Sequence, residues 1–205
     1  MAMTLRIVVP PHPLIAHWLT MLREAKTPAP LYAKGLEELG KWLTYEALRD
    51  WLPHRKEEVE TLQGKSVGSV IESSIPLLAL PQNAGGIELW HGGRNVLPNS
   101  SLCIGGVPNA ITTNTGVIIF IDQISDGRDL FETLSILKRQ DVEPRRIRVI
   151  SAIAAKSGLQ MLGENVPDLN IYCACIDAEI TDKGEINPGI GNPSLRLSTK
   201  ISTKN

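Results

Sequence analysis

Cysteine is scarce in this chain: Cys103, Cys173 and Cys175 are the only three in 205 residues. An odd number without a scaffold spacing speaks against a disulfide framework and suits a reducing compartment, so a cytoplasmic location is expected. An excess of charge of one sign is missing too. The 21 Lys and Arg stand against 22 Asp and Glu, which leaves no large basic face for nucleic acid or anionic lipid. Long apolar runs are also absent. "MAMTLRIVVPPHPLI" is broken by Pro10, Pro11 and Pro13 before it reaches signal-peptide length, and no later stretch approaches the length of a membrane span. Neither a nucleic-acid partner nor a membrane span is expected, and no internal repeat is visible. What remains is 42% hydrophobic residues, enough for one full core, and the expectation of a single domain over 1–205.

The amino-terminal part, 12–62, is helical in pattern. "HPLIAHWLTMLREA" (12–25) sets Leu14, Ile15, Trp18, Leu19 and Leu22 at helical spacing behind Pro10 and Pro11. "LYAKGLEELGKWLTYEALRDWLP" (31–53) repeats the pattern until Pro53, with Gly35 and Gly40 marking where another backbone comes close. "HRKEEVE" (54–60) is expected to be a charged, solvated connector. From Val67 the period shortens, with "VGSVIES" and "IPLLAL" as apolar runs, and 81–116 is rich in Gly, Pro and Asn with little periodicity. "GVIIFID" (116–122) is a β-branched run of the kind covered on both faces of a parallel sheet. A helix (130–139), strand (146–155), helix (156–164) and strand (170–177) follow, so the fold class is α/β with right-handed crossovers.

In open α/β sheets a ligand anion sits beyond the carboxyl ends of the strands, where a tight turn and a helix N-terminus present backbone N–H groups. Ser125, Asp126, Gly127, Arg128 and Asp129 occupy that place after the 116–122 strand. The ordinary alternative is a capped helix with a relieving glycine. Aspartates here are unexpected for a phosphate cradle.

Three separated motifs bear on the point. His12, Pro13, Leu14, Ile15 and His17 match an opening H-P-L-I-x-H. Tyr45, Glu46, Ala47, Arg49 and Asp50 match Y-E-A-x-R-D, and Ile176, Asp177, Gly184, Ile186, Pro188, Gly189, Gly191 and Arg196 match a carboxyl-terminal I-D-x-x-L-N-x-x-G-x-I-x-P-G-L-G-D-A-G-D-R. In order and spacing the chain resembles the uracil phosphoribosyltransferase family over 12–62 and 117–200, and resembles it poorly over 63–116. The resemblance implies a Rossmann-like phosphoribosyltransferase fold: a mainly parallel sheet core over 63–175, flanking helices, and a small hood from the chain ends, with its loop over 176–200. It implies a reaction of uracil with 5-phosphoribosyl pyrophosphate and Mg²⁺ to give UMP and pyrophosphate, in pyrimidine salvage. It further implies a homo-oligomer, and main-chain groups of Ile186 and Gly191, beside Asn192, reading the nucleobase.

The departures are specific. The family's turn, close to V-D-P-M-L-A-T-G-G-S, is an anion nest. Here it is "IDQISDGRDL": Asp122 matches the family's Asp and is the candidate catalytic residue, but the Thr is missing, Arg128 replaces a Gly, Asp129 replaces the Ser, and Asp126 adds a carboxylate. Two like charges about 5 Å apart at an effective dielectric near 20 repel by roughly 3 kcal/mol. The family's P-I-L-R-A-G, whose Arg meets pyrophosphate, corresponds to "IPLLAL" (75–80) without an Arg, and Arg94 is the one arginine of 63–116 that could substitute. The hood keeps its Gly-Pro-Gly but carries Glu185 and Asn192 where the family has an aromatic residue and Asp. The expectation is therefore a uracil phosphoribosyltransferase-like protein with weak or no catalysis, acting as a nucleotide-binding or structural subunit. The alternative is the active enzyme.

Other residues have plainer readings. Cys173 and Cys175 share a strand face, but no Cys or His spacing completes a metal site and core packing is expected. His12 and His17 are expected to be structural, and Trp18, Trp42 and Trp51 to be core or subunit interface. Residues 179–184 are expected to form a hairpin-like turn. The irregular 81–116 is where a protein partner would be sought, with Trp90 either an exposed anchor there or part of the core.

Overall fold

The computed structural model describes residues 5–198. In chain order these form β1 (Arg6–Val8), α1 (Pro13–Arg23), α2 (Ala29–Leu48), β2 (His54–Thr61), β3 (Gly64–Ile71), β4 (Leu77–Pro81), α3 (Ala84–Gly93), β5 (Ser100–Leu102), β6 (Gly116–Ile124), α4 (Arg128–Arg139), β7 (Ile147–Ala155), α5 (Lys156–Asn165), β8 (Asn170–Asp177), β9 (Glu179–Ile180), β10 (Ile186–Asn187) and α6 (Pro193–Leu197). Six strands make one parallel sheet in the order β1-β8-β7-β6-β4-β5. The β-branched runs of β6 and β7 are buried almost end to end because helices cover both faces. One face carries α1, α2 and α3 over Ala79, Ile118, Phe120, Ile150 and Tyr172. The opposite face carries α4 and α5 over Leu80, Val117, Ile119, Val149 and Ile171. The α/β expectation holds, and the sheet gains β1, a strand from before residue 63 that the sequence pattern did not reveal.

Two segments differ from expectation. The stretch 54–60 is no connector: β2 pairs antiparallel with β3 in a two-stranded ribbon that stays exposed along nearly its whole length. The stretch 81–116 contains α3 and β5, and its longest run without helix or strand is 103–115. Trp90 packs against the core, the second of its two readings. The expected close approach at Gly40 is present: a Cβ there would overlap the Leu89 carbonyl oxygen, and one at Gly92 would overlap that of Glu37. Glycine is what lets α2 and α3 touch backbone to backbone. β9 and β10 pair as the expected hairpin, and with α6 they form the hood.

Among the minor expectations, His12 caps α1, its Nδ1 accepting from the Leu14 amide at 3.1 Å. Cys173 lies in the core, where burial pushes its thiol up to about 12. Trp18, Trp42 and Trp51 pack against the α1–α3 face of the sheet.

Candidate functional site

Parallel strands deliver their carboxyl ends to one edge of the sheet, and here β4, β6 and β8 bring the chemistry-bearing residues to that edge. After β6 the chain turns through Ser125, Asp126 and Gly127 into α4. Gly127 has φ 82°, a left-handed conformation that side chains with a Cβ rarely adopt, and it is the N-cap of α4. The start of α5 presses against this turn: a Cβ on Gly127 would lie 2.8 Å from Met161 Cε and 3.0 Å from the Gly158 carbonyl. The turn is thus braced from behind.

The turn satisfies itself. Asp126 Oδ1 accepts the Arg128 amide at 3.0 Å, and Asp126 Oδ2 lies 3.3 Å from Arg128 Nε. Arg128 points outward and spends its charge on this exposed pair, so it does not offset the carboxylates from within. Asp129 stands in the first turn of α4, where its charge complements the helix dipole in the manner a bound anion would. The space beneath the turn, among Ile121, Gln123, Ser125, Asp126, Gly127 and Asp129, is about 20 Å³, room for one water.

Asp122 ends the buried run of β6 and is itself buried. Asn83 Nδ2 donates to its Oδ1 at 2.8 Å and the Gln123 amide to the same oxygen at 2.7 Å. Burial is the larger effect and pushes the carboxyl up to about 6 despite those donors, with Asp129 adding to the rise. Asn83 is the residue that sequence reasoning missed. It follows β4, caps α3 by accepting the Gly86 amide at 2.8 Å, and accepts the Asp122 amide at 3.3 Å. Next to it, Gln82 Oε1 accepts from Thr133 Oγ1 at 2.6 Å, tying the end of β4 to α4. The position from which β4 faces the site therefore carries a neutral amide. Arg94 does not replace a cation there: it caps the far end of α3, over the Trp90 ring at 5.4 Å. The available signal for Asn83 was an Asn directly after an apolar strand and before Ala-Gly-Gly, a helix N-cap pattern at a strand's carboxyl end.

The hood is fastened by residues from both halves of the chain. Arg23 of α1 grips Asp177, at the end of β8, through two hydrogen bonds of 2.9 and 2.7 Å, and donates to the Gly189 carbonyl at 3.0 Å. The Gly189 amide returns to Asp177 Oδ2 at 3.1 Å. Burial works to raise the Asp177 carboxyl, but Arg23 and that amide outweigh it and hold the pKa below the usual carboxylate value. Tyr32 Oη donates to the Ile190 carbonyl at 3.2 Å, and Arg196 lies 4.2 Å over the Tyr32 ring while donating to the Leu22, Ile190 and Glu24 carbonyls. Ile186 is buried, Gly191 has φ 73°, and Asn192 caps α6 by accepting the Leu195 amide at 3.2 Å. Burial raises the Tyr32 phenol, Arg196 opposes the rise and Asp122 adds to it.

The family model described as uracil phosphoribosyltransferase matches residues 9–197. The chain belongs to the uracil phosphoribosyltransferase family. The matched range includes 63–116, the stretch that resembles the family poorly by its motifs. Proteins named uracil phosphoribosyltransferase are similar along nearly the whole of this chain. That of Synechococcus elongatus is 36% identical over 96% of this chain and 98% of its own, and that of a Nostoc species is 34% identical over 96% and 99%. The chloroplastic protein of Arabidopsis thaliana is 32% identical over 93% of this chain and 70% of its own. Among solved structures, the AQ2163 protein of Aquifex aeolicus superposes with a TM-score of 0.80 at 30% identity, covering 93% of this chain and 97% of that one. The fold is that of the family, an α/β phosphoribosyltransferase-like sheet. Among the described residues no helix is long and apolar enough to cross a membrane.

Proposed function

We propose that this protein is a uracil phosphoribosyltransferase whose transfer reaction is weak. The reaction class is supported by the named relatives, which align over 96% of the chain at 34–36% identity. In that reaction uracil N1 bonds to the anomeric carbon of 5-phosphoribosyl pyrophosphate, the bond from that carbon to pyrophosphate breaks, and the N1 proton is released. Ile186 and Gly191 would offer main-chain groups to the uracil edge from an anchored hood, while Asn192 is occupied as a helix cap. Asp122 would face the ribose. Mg²⁺ would enter with the substrate's phosphates, because it keeps waters and takes few protein carboxylates. Among the described residues no group of three or more His, Cys, Asp or Glu could cage a metal alone.

The observation that carries the weakness is the Asp126 carboxylate seated on the Arg128 amide, an amide that the family's nest would turn to phosphate. With a neutral Asn83 at the end of β4, charge developing on departing pyrophosphate meets little fixed compensation. A second reading, a silent binding or structural subunit, rests on the same closed turn taken to its limit. Self-association belongs to either reading, and sedimentation of the purified protein would test it. The deciding assay is steady-state formation of UMP from uracil and 5-phosphoribosyl pyrophosphate with Mg²⁺. Measurable turnover with kcat/KM at least about a hundredfold below that of the Synechococcus relative under the same conditions is expected, about 3 kcal/mol of lost transition-state stabilisation. Equal efficiency contradicts the weakness, and no product at all favours the silent subunit.

A further inference from the structure

An open, mostly apolar hollow beside α4 lies at the opposite end of the sheet from the turn. It has a volume of about 600 Å³, within the range of small-molecule sites, and sits between the last turns of α4, the start of β7 and the connection from α5 to β8. Its wall is apolar: Phe131, Leu134, Val142, Ile147 and Val166. Leu134, Val142 and Ile147 are buried side chains of the α4–α5 core, so the floor is fixed by the fold. Lys138 and Arg139 stand at the rim, and their side chains make no ion pair or hydrogen bond among the described residues. Basic residues in the last turn of a helix have an ordinary role against its carbonyl ends. That role does not call for an apolar hollow beside them.

The rim also carries one carboxylate, Asp168. Two cations against one anion leave a single net positive charge around an apolar bowl. By the rise of the helix the cavity's wall runs from about 6 Å (Phe131) to about 18 Å (Arg139) along α4 from Gly127, and it shares no lining residue with the turn or the hood, so it is a different site. We propose that this cavity binds a small apolar monoanion, a carboxylate carried on a hydrocarbon or aromatic body, with the body against Phe131 and Leu134 and the carboxylate at Lys138 and Arg139. A dianion would over-compensate the rim, and a neutral hydrocarbon would leave both cations unused.

The test is a two-dimensional amide NMR titration of the full-length protein with octanoate, with octanol as the neutral control. Saturable shifts confined to residues 131–147 and 165–168 are expected, with a Kd of about 1 mM or tighter. The exposed double variant Lys138→Glu/Arg139→Glu should weaken octanoate at least tenfold, and octanol should bind at least tenfold more weakly than octanoate to the unaltered protein. Ser135→Trp, which fills the bowl, should abolish binding. Shifts that do not saturate by about 10 mM overturn the site. Equal binding of octanol and octanoate overturns the assigned charge. A sedimentation mass that falls in either variant means a second copy of the chain covers the bowl, which also overturns the proposal.

Discussion

At the scale of single residues, Asp126 and Asp122 are two carboxylates beside one strand end in opposite surroundings, one open to water and one buried. Asp126 stays half-exposed and takes a backbone amide and a neighbouring arginine as partners. Asp122 is buried and holds its proton longer, with a pKa of about 6 against an ordinary 3.8. The sign follows from linkage. Both states are protonated below the ordinary value; between there and about 6 the unfolded chain ionises first, so stability is lost as pH rises through that window. The loss is at most about 3 kcal/mol. Asp122→Asn keeps an oxygen for the Asn83 and Gln123 donors and removes the titration. Thermal melts should show the variant more stable than the parent near pH 7.5 and level with it near pH 4; the same difference at both values would sink the assignment. The aspartates of the turn were legible because strand, glycine and helix are adjacent in sequence. Asn83 was not, because its contact with Asp122 spans 39 residues and comes into being only when β4 and β6 pair side by side.

At the scale of elements, α3 explains why the middle third of the sequence resisted reading. Its stretch "AGGIELWHGG" carries four glycines, each costing helix propensity, so apart from the Asn83 cap no periodicity marks it. Packing requires them. A Cβ at Gly85 would lie 2.5 Å from Asp122 Cβ, and one at Gly92 would overlap the Glu37 carbonyl of α2. The helix exists because a close seat on β6 and α2 offsets its poor intrinsic preference. Gly92→Ala should therefore destabilise the fold, by about 3 kcal/mol or more in urea unfolding, although alanine is the better helix former. An unchanged midpoint would show that α2 and α3 can part freely. By contrast, β6, α4, β7, α5 and β8 were legible as elements because their apolar runs are long and their periods distinct.

At the scale of the whole molecule, the site exists only where distant parts of the chain meet. Arg23 reaches Asp177 across 154 residues, and Arg196 reaches the Leu22 carbonyl across 174. These bonds lock the hood to α1 and α2, a closure that the matched motifs suggested but whose fastening no spacing could show. Asp177→Ala should lower stability by roughly 2 kcal/mol, less than a fully buried pair because Arg23 can regain water, and should speed tryptic cleavage after the exposed Lys183. Since the Asp177 carboxyl is held below its ordinary value, its contribution is present above that value and fades as pH falls through the folded pKa. Unaltered cleavage would mean the hood is held by other contacts. The exposed β2–β3 ribbon stands apart from both cores, so replacing residues 55–70 by a short Gly-Ser link should leave the thermal midpoint of the monomer nearly unchanged. A large fall would show that the ribbon supports the domain.

The most direct measurement is calorimetric titration of the protein and its Asp126→Ser variant with 5-phosphoribosyl pyrophosphate and Mg²⁺. Freeing the Arg128 amide and removing one of the turn's charges should convert binding near millimolar in the parent to binding at least tenfold tighter in the variant, a gain of about 1.4 kcal/mol or more. Micromolar binding by the parent, left unchanged by the substitution, would contradict the view that this turn has closed on its own carboxylate.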